Sequence, residues 1–160
     1  MTRPKVGFLG CGEIARLHAA CLTHMGIAIR GGYDIHEEKA AAFVADYGGR
    51  TFAEGAQLCR DPDVDAVYIC TRHDSHADYV ELASAERKAI YCEKPLAMNV
   101  RDASRARRAV LEAGIPAVVG FNHRYSPGML ALKEEIASRS QPIDALTIQF
   151  TTVAFLNGWA

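Results

Sequence analysis

The sequence predicts a doubly wound α/β fold on a parallel sheet, followed by the first helix and strand of an incomplete α+β domain. Three observations predict it. Short apolar runs alternate with helical patterns up to residue 121, joined by short connections. The run Ala66-Val67-Tyr68-Ile69-Cys70 is apolar throughout, as in a strand covered on both faces of a parallel sheet. Beyond residue 121 the rhythm changes to one helix and one long alternating strand.

The elements follow in order. Lys5 to Leu9 is a short apolar strand. Glu13 to Met25 places Ile14, Leu17, Cys21 and Met25 on one helical face, and Gly26 stands where it can end the helix. Ala28 to Tyr33 is a strand loosened by Gly31 and Gly32. Glu37 to Tyr47 is a helix with Ala40, Phe43, Val44 and Tyr47 inward, stopped by Gly48-Gly49. A strand at Arg50 to Phe52, a helix near Glu54 to Cys59 and the Asp61-Pro62 turn lead to the Ala66 strand. Ser75 caps the next helix, with Tyr79, Leu82 and Ala83 inward. Ala89 to Cys92 is a buried strand, and Pro95, with no N–H to donate, ends its ladder. Asn99 caps a helix to Ala113 that Gly114 closes, and Ala117 to Phe121 is the sixth strand.

The division therefore falls between residues 1–121 and 122–160. In the second part, Pro127 suits the first position of a helix that runs to Ser138 with Leu130, Leu132 and Ile136 as its apolar face. From Ile143 to Leu156, Leu146, Ile148, Phe150, Thr152, Ala154 and Leu156 share one face of a half-buried antiparallel strand. Such a strand needs a partner on at least one edge, which predicts a homo-oligomer paired through residues 143–156.

Composition narrows the classes. The 160 residues are 49% hydrophobic and 23% charged, with a net charge of −1, which suits a soluble globular protein. That balance has no electrostatic footprint for nucleic acid or an anionic membrane. Arg101, Arg105, Arg107 and Arg108 form a basic cluster, read as the solvated face of a helix. No apolar run approaches the ~20 residues of a membrane span, and Met1 to Lys5 leads into a strand without a secretory h-region. The five cysteines include no C-x-x-C pair and read as reduced thiols of a cytoplasmic protein.

Chemistry concentrates at strand ends. Gly10-Cys11-Gly12-Glu13-Ile14-Ala15 is a G-x-G-x-x-A loop between the first strand and first helix, the pattern of a Rossmann-type dinucleotide site. Its first glycine allows the turn, its second lets the backbone approach a pyrophosphate, and Ala15 permits close packing. Asp34 ends the second strand, at the offset where an acid accepts hydrogen bonds from the adenosine ribose. No arginine stands in Ile35-His36-Glu37 to meet a 2′-phosphate, so NAD is preferred over NADP. Thr71, Arg72, His73 and His76 belong to a loop that passes over the cofactor; read as a metal pair, His73 and His76 lack further donors, so no metal is expected. Glu93-Lys94-Pro95 sets Lys94 at the carboxyl end of a strand, where open α/β sheets bind ligands and an ammonium group can stabilise a developing alkoxide.

Together with Gly120-Phe121-Asn122-His123-Arg124-Tyr125, these residues resemble the glucose–fructose oxidoreductase/inositol dehydrogenase (Gfo/Idh/MocA) family, of which the chain looks like the N-terminal part. The resemblance implies that Lys94 lies near nicotinamide and the substrate hydroxyl, and that Glu93 and the glycine loop contact the cofactor. It also implies a cis Lys94–Pro95 bond, and that residues 122–125 cross between domains. Arg72 stands where the family usually has proline, and Arg87 where it usually has glycine after a helix. The family's acid/base histidine is expected beyond Ala160, so it is assigned to no residue here.

Two functions are expected from this pattern. One is an NAD(P)-dependent oxidoreductase acting on a secondary alcohol of a sugar, polyol or related small molecule, present here mainly as its nucleotide-binding part. The alternative is a non-catalytic dinucleotide-binding or dimerisation module.

Overall fold

In a computed structural model, residues 3–140 are described. Six strands lie parallel in one sheet: β1 (Lys5–Leu9), β2 (Ala28–Tyr33), β3 (Arg50–Thr51), β4 (Ala66–Ile69), β5 (Ala89–Cys92) and β6 (Ala117–Val119), in the order β3-β2-β1-β4-β5-β6. Between them run α1 (Glu13–His24), α2 (Glu37–Tyr47), α3 (Gly55–Arg60), α4 (His76–Ala85) and α5 (Val100–Ala113). The chain divides after Phe121. The second unit opens with a 3₁₀ turn, Asn122–Tyr125, and continues into α6 (Pro127–Ser138), with Pro127 in its first turn. The expected strand at 143–156, and with it the dimer and the non-catalytic module that rest on it, lie outside the described residues.

Strand alternation sorts the core into two layers, because successive side chains point to opposite faces. Val6, Phe8, Ala66 and Tyr68 pack with α1 and α2, through Ala15, Ala19, Leu22, Ala40 and Phe43. Leu9, Val67, Ile69, Ile90 and Cys92 pack with the other helices, through Leu58, Ala77, Val80, Ala83 and Ala106. The expected face of α1 is corrected here. Ala15, Ala19 and Leu22 are buried, while Ile14, Leu17, Cys21 and Met25 are exposed. The small alanines let α1 approach the sheet, so the helix turns its larger apolar side chains outward.

Helix ends follow local chemistry. Asn99 Oδ1 accepts the Asp102 amide at 2.9 Å, and Gly114 closes α5 in the left-handed region. Ser75 does not cap α4 as expected: its hydroxyl donates back to Arg72 O and lies 2.9 Å from Thr71 Oγ1. The 3₁₀ turn His73–Ser75 already precedes the helix and leaves Ser75 in a helical conformation, which turns the hydroxyl away from the first free amides. Arg87 has φ of 53° and completes a Schellman motif, with its amide on Ser84 O and that of Lys88 on Ala83 O, both at 3.0 Å. Gly26 fills the equivalent place after α1 with φ of 72°, so Arg87 carries strain that glycine would not.

The amino-terminal ends of the strands are tied by charge. Asp61 is buried and accepts Arg50 at 2.7 Å and the Asp63 amide at 2.8 Å. Asp63 pairs with Lys5 and Arg30, and the Lys88 ammonium donates to Asp61 O and Val64 O. Burial works against an ionised Asp61, but the Asp63 amide and Arg50 outweigh it and hold the carboxyl below its ordinary range. On the α4–α5 surface, Arg105 of the basic cluster binds Asp78, Glu81 and Asp102.

Because the folded Asp61 carboxyl is depressed, its contribution is complete above the ordinary carboxylate range and is lost as pH falls through it. Asp61→Asn is expected to cost about 1–3 kcal/mol near neutrality and less toward pH 3, read from urea melts across that range. An equal loss at both ends would contradict the linkage. Arg87→Gly is expected to raise stability by about 1 kcal/mol in the same melts.

Candidate functional site

The sheet reverses its winding between β1 and β4, and an open α/β sheet binds its ligand outside the carboxyl ends at such a point. A cleft of about 540 Å³ lies there. The glycine loop and Asp34 form one wall, and Cys70, Thr71, Arg72, Asp74 and Ser75 form the other. A second recess of about 350 Å³ shares Thr71, Arg72 and Asp74 and adds His73 and Met98. A groove of about 380 Å³ beside β6 is lined mainly by apolar side chains from Val80 to Val119, without the convergent polar groups that a nucleotide needs.

The two glycines of the loop serve different ends. Gly10 has φ of +87° and donates to Tyr33 O at 2.8 Å; a Cβ there would come within 2.6 Å of the Cys70 carbonyl. It is required by the fold itself. Gly12 has φ of −74°, a conformation open to any residue, and a Cβ there would meet nothing within 4 Å. Neither backbone nor packing demands glycine at Gly12. What its bare Cα leaves is a cradle at the N-terminus of α1, where unpaired amides and the helix dipole favour an anion. A pyrophosphate fits that cradle.

Asp34 braces the loop. Its Oδ2 accepts the Cys11 amide at 2.8 Å and its Oδ1 the His36 amide at 3.0 Å. Each carboxylate oxygen retains a further lone pair for a ribose hydroxyl. The Cys11 side chain is buried, 3.6 Å from Tyr33 O, and its amide is given to Asp34, so both its polar groups brace the loop. Burial, with Asp34 adding to it, pushes its thiol up to about 12. Glu13 and Ile14 open α1 with exposed side chains. Sequence reasoning missed Tyr33, Ile35, His36, Lys39 and Tyr79, which also line the cleft. Lys39 lies within the first turn of α2, and only the closeness of α2 to Asp34 brings it to the wall.

The loop after β4 is split in its roles. Thr71 and Arg72 line both recesses, and Arg72 is exposed, 3.6 Å from Asp74. His76 does not face the cleft as expected. It is fully buried, with Nδ1 2.7 Å from Pro95 O and Nε2 3.1 Å from Thr71 O. Because its ring lies between these two backbone carbonyls, His76 joins the two loops from below. No group of three or more His, Cys, Asp or Glu that could hold a metal occurs among the described residues.

Lys94 is exposed at the end of β5, and its ammonium makes no ion pair among the described residues. The Lys94–Pro95 bond is cis. Glu93, one residue before, is buried and turned the other way, with Oε1 2.7 Å from His18 Nε2. Its carboxylate is thus engaged with α1.

Residues 4–121 match the family model described as "Oxidoreductase family, NAD-binding Rossmann fold". The chain is 36% identical over 138 residues to an inositol 2-dehydrogenase of Paracoccus denitrificans, covering 83% of this chain and 41% of that protein. It is 38% identical over 133 residues to inositol 2-dehydrogenase 3 of Saccharopolyspora erythraea, covering 81% and 39%. A crystal structure of myo-inositol dehydrogenase from Lactobacillus casei in complex with NAD(H) and myo-inositol superposes with a TM-score of 0.81 at 33% identity, covering 85% of this chain and 42% of that one. The chain thus spans about two fifths of the length of these relatives. No described helix is long and apolar enough to cross a membrane. The glycine cradle, the braced acid and the parallel sheet agree with that match, and the chain belongs to the Gfo/Idh/MocA oxidoreductase family, with residues 4–121 as its NAD-binding Rossmann fold.

Proposed function

We propose that this chain is the nucleotide-binding part of an NAD-dependent oxidoreductase that acts on a secondary alcohol of a sugar, polyol or related small molecule. The observation that carries the reading is the exposed Lys94 ammonium, without an ion pair among the described residues, at the same sheet edge as the cradle over Gly12. Inositol dehydrogenases among the relatives support the substrate class.

Bound NAD would supply a two-electron acceptor at its nicotinamide ring. The chain's own residues bind and orient. The amides at the start of α1 hold the pyrophosphate over Gly12, and Asp34 accepts hydrogen bonds from the adenosine ribose. Its negative charge also disfavours a 2′-phosphate, although Lys39 stands on the same wall. Lys94 donates a hydrogen bond to the substrate oxygen and stabilises the negative charge that develops as a base removes the hydroxyl proton.

NADH titration by fluorescence is expected to show saturable binding, tighter than NADPH. Gly12→Val should weaken it at least tenfold, about 1.4 kcal/mol, while the melting temperature stays within a few degrees. No binding of either nucleotide by the unaltered chain would overturn the dinucleotide site. With whichever polyol or sugar gives turnover, Lys94→Ala should lower kcat about a hundredfold or more and leave NADH affinity nearly unchanged. Unaltered turnover would remove Lys94 from the chemistry.

A further inference from the structure

Glu93 and Lys94 are neighbours in sequence, yet one is buried and the other exposed. The Glu93 carboxylate is the centre of a small polar cluster on the α1 side of the sheet. Its Oε1 receives His18 Nε2–H at 2.7 Å and the Tyr91 hydroxyl at 3.3 Å. Its Oε2 receives the backbone amide of Lys94 at 3.2 Å. The side chains of His18 and Glu93 are only 18% and 10% exposed. The His18 ring packs edge-on to Tyr91 at 4.8 Å and beside Tyr68 at 5.5 Å, so its direction is held by aromatic contacts as well as by the hydrogen bond. Space is reserved for the cluster: a Cβ on Gly120 would lie 2.5 Å from the Tyr91 hydroxyl and 3.2 Å from Glu93 Oε1.

His18 lies on α1, whose N-terminus forms the cradle over Gly12. A single path therefore joins the cradle helix to the lysine: α1, His18, Glu93, and the Lys94 amide. Desolvation of a buried carboxylate offsets much of what its hydrogen bonds contribute to stability, but each of those bonds has a preferred direction and so constrains where the carboxylate sits. Losing the His18 N–H would leave Glu93 buried and under-paired, and the carboxylate would have to move. Lys94 would move with it, since the two share a peptide unit.

We propose that His18 is a positioning residue that, through Glu93, couples the seating of a dinucleotide on α1 to the placement of Lys94. The coupling to the nucleotide rests on the dinucleotide reading above; the placement of Lys94 by His18 does not.

The test compares the unaltered chain with His18→Phe, which keeps the aromatic contacts but has no N–H, and with His18→Gln, whose amide can still donate to Glu93. The lysines are carbon-13 methylated, and the Lys94 signal is assigned by its absence from Lys94→Arg. The expected result has three parts. Without nucleotide, the Lys94 signal is displaced in His18→Phe and restored in His18→Gln. With NADH, the signal responds in the unaltered chain and in His18→Gln but not in His18→Phe. NADH affinity falls about tenfold in His18→Phe and recovers in His18→Gln, the size expected for losing one charge-assisted hydrogen bond. Should His18→Phe not fold, His18→Phe/Glu93→Gln, which removes the orphaned charge, takes its place. A Lys94 signal that is the same in every variant overturns the proposal. So does a His18→Gln variant that behaves like His18→Phe. Absence of NADH binding by the unaltered chain would instead defeat the dinucleotide reading, while the spectra without nucleotide still decide whether His18 places Lys94.

Discussion

The backbone turn at Gly10 is the constraint on which the rest of the site depends. Its positive φ carries the chain out of β1, and its amide is fixed to Tyr33 O at the end of β2. On the other side it lies against the Cys70 carbonyl at the end of β4, with no room for a side chain. The turn is thus wedged between two neighbouring strands. From that fixed point α1 can leave the sheet only in one direction, with its N-terminus at the cleft. Asp34 then ties the next residue, Cys11, back to β2, so the cradle is rigid before any ligand arrives.

The sheet divides its labour by polarity. At the amino ends of the strands, Lys5, Arg30, Arg50 and Lys88 meet Asp61, Asp63 or nearby carbonyls, and the charges are spent on one another. At the carboxyl ends the backbone amides of α1 and the Lys94 ammonium point outward. Parallel strands produce this asymmetry, since every helix that follows a strand begins at the carboxyl edge and presents its amides there. Stability can therefore be concentrated at one edge while the other stays available for a ligand.

The two sides of the sheet also converge on the segment around Lys94. From the α1 layer, His18 reaches Glu93, the residue before the lysine; from the α4 layer, His76 reaches Pro95, the residue after it. A lysine on a loop has a long, mobile side chain, and its usefulness depends on where its Cα is held. Here the residue on either side of it is bonded to an imidazole, Glu93 through its carboxylate to half-buried His18 and Pro95 through its carbonyl to buried His76, each ring belonging to a different core layer.

The order of the elements, the six strands, the glycine turn and the asparagine cap of α5 were legible in the sequence by itself. Each depends on a short stretch of chain: alternation of apolar residues, a conformation only glycine adopts easily, or a side chain that bonds an amide three residues away. The inward face of α1 was not legible, because Ile14, Leu17, Cys21 and Met25 make as regular a stripe as the alanines that are buried. Helical spacing cannot say which stripe a closely approaching sheet will accept. Nor could the sequence separate His76, Cys11 and Glu93 from true cleft residues, since all lie in the right loops. Their side chains are turned inward by partners far along the chain: His76 by Pro95, Cys11 by the Tyr33 carbonyl, and Glu93 by His18. Only the tertiary structure brings such partners within hydrogen-bonding distance, and so only it decides which groups support the cleft and which face it.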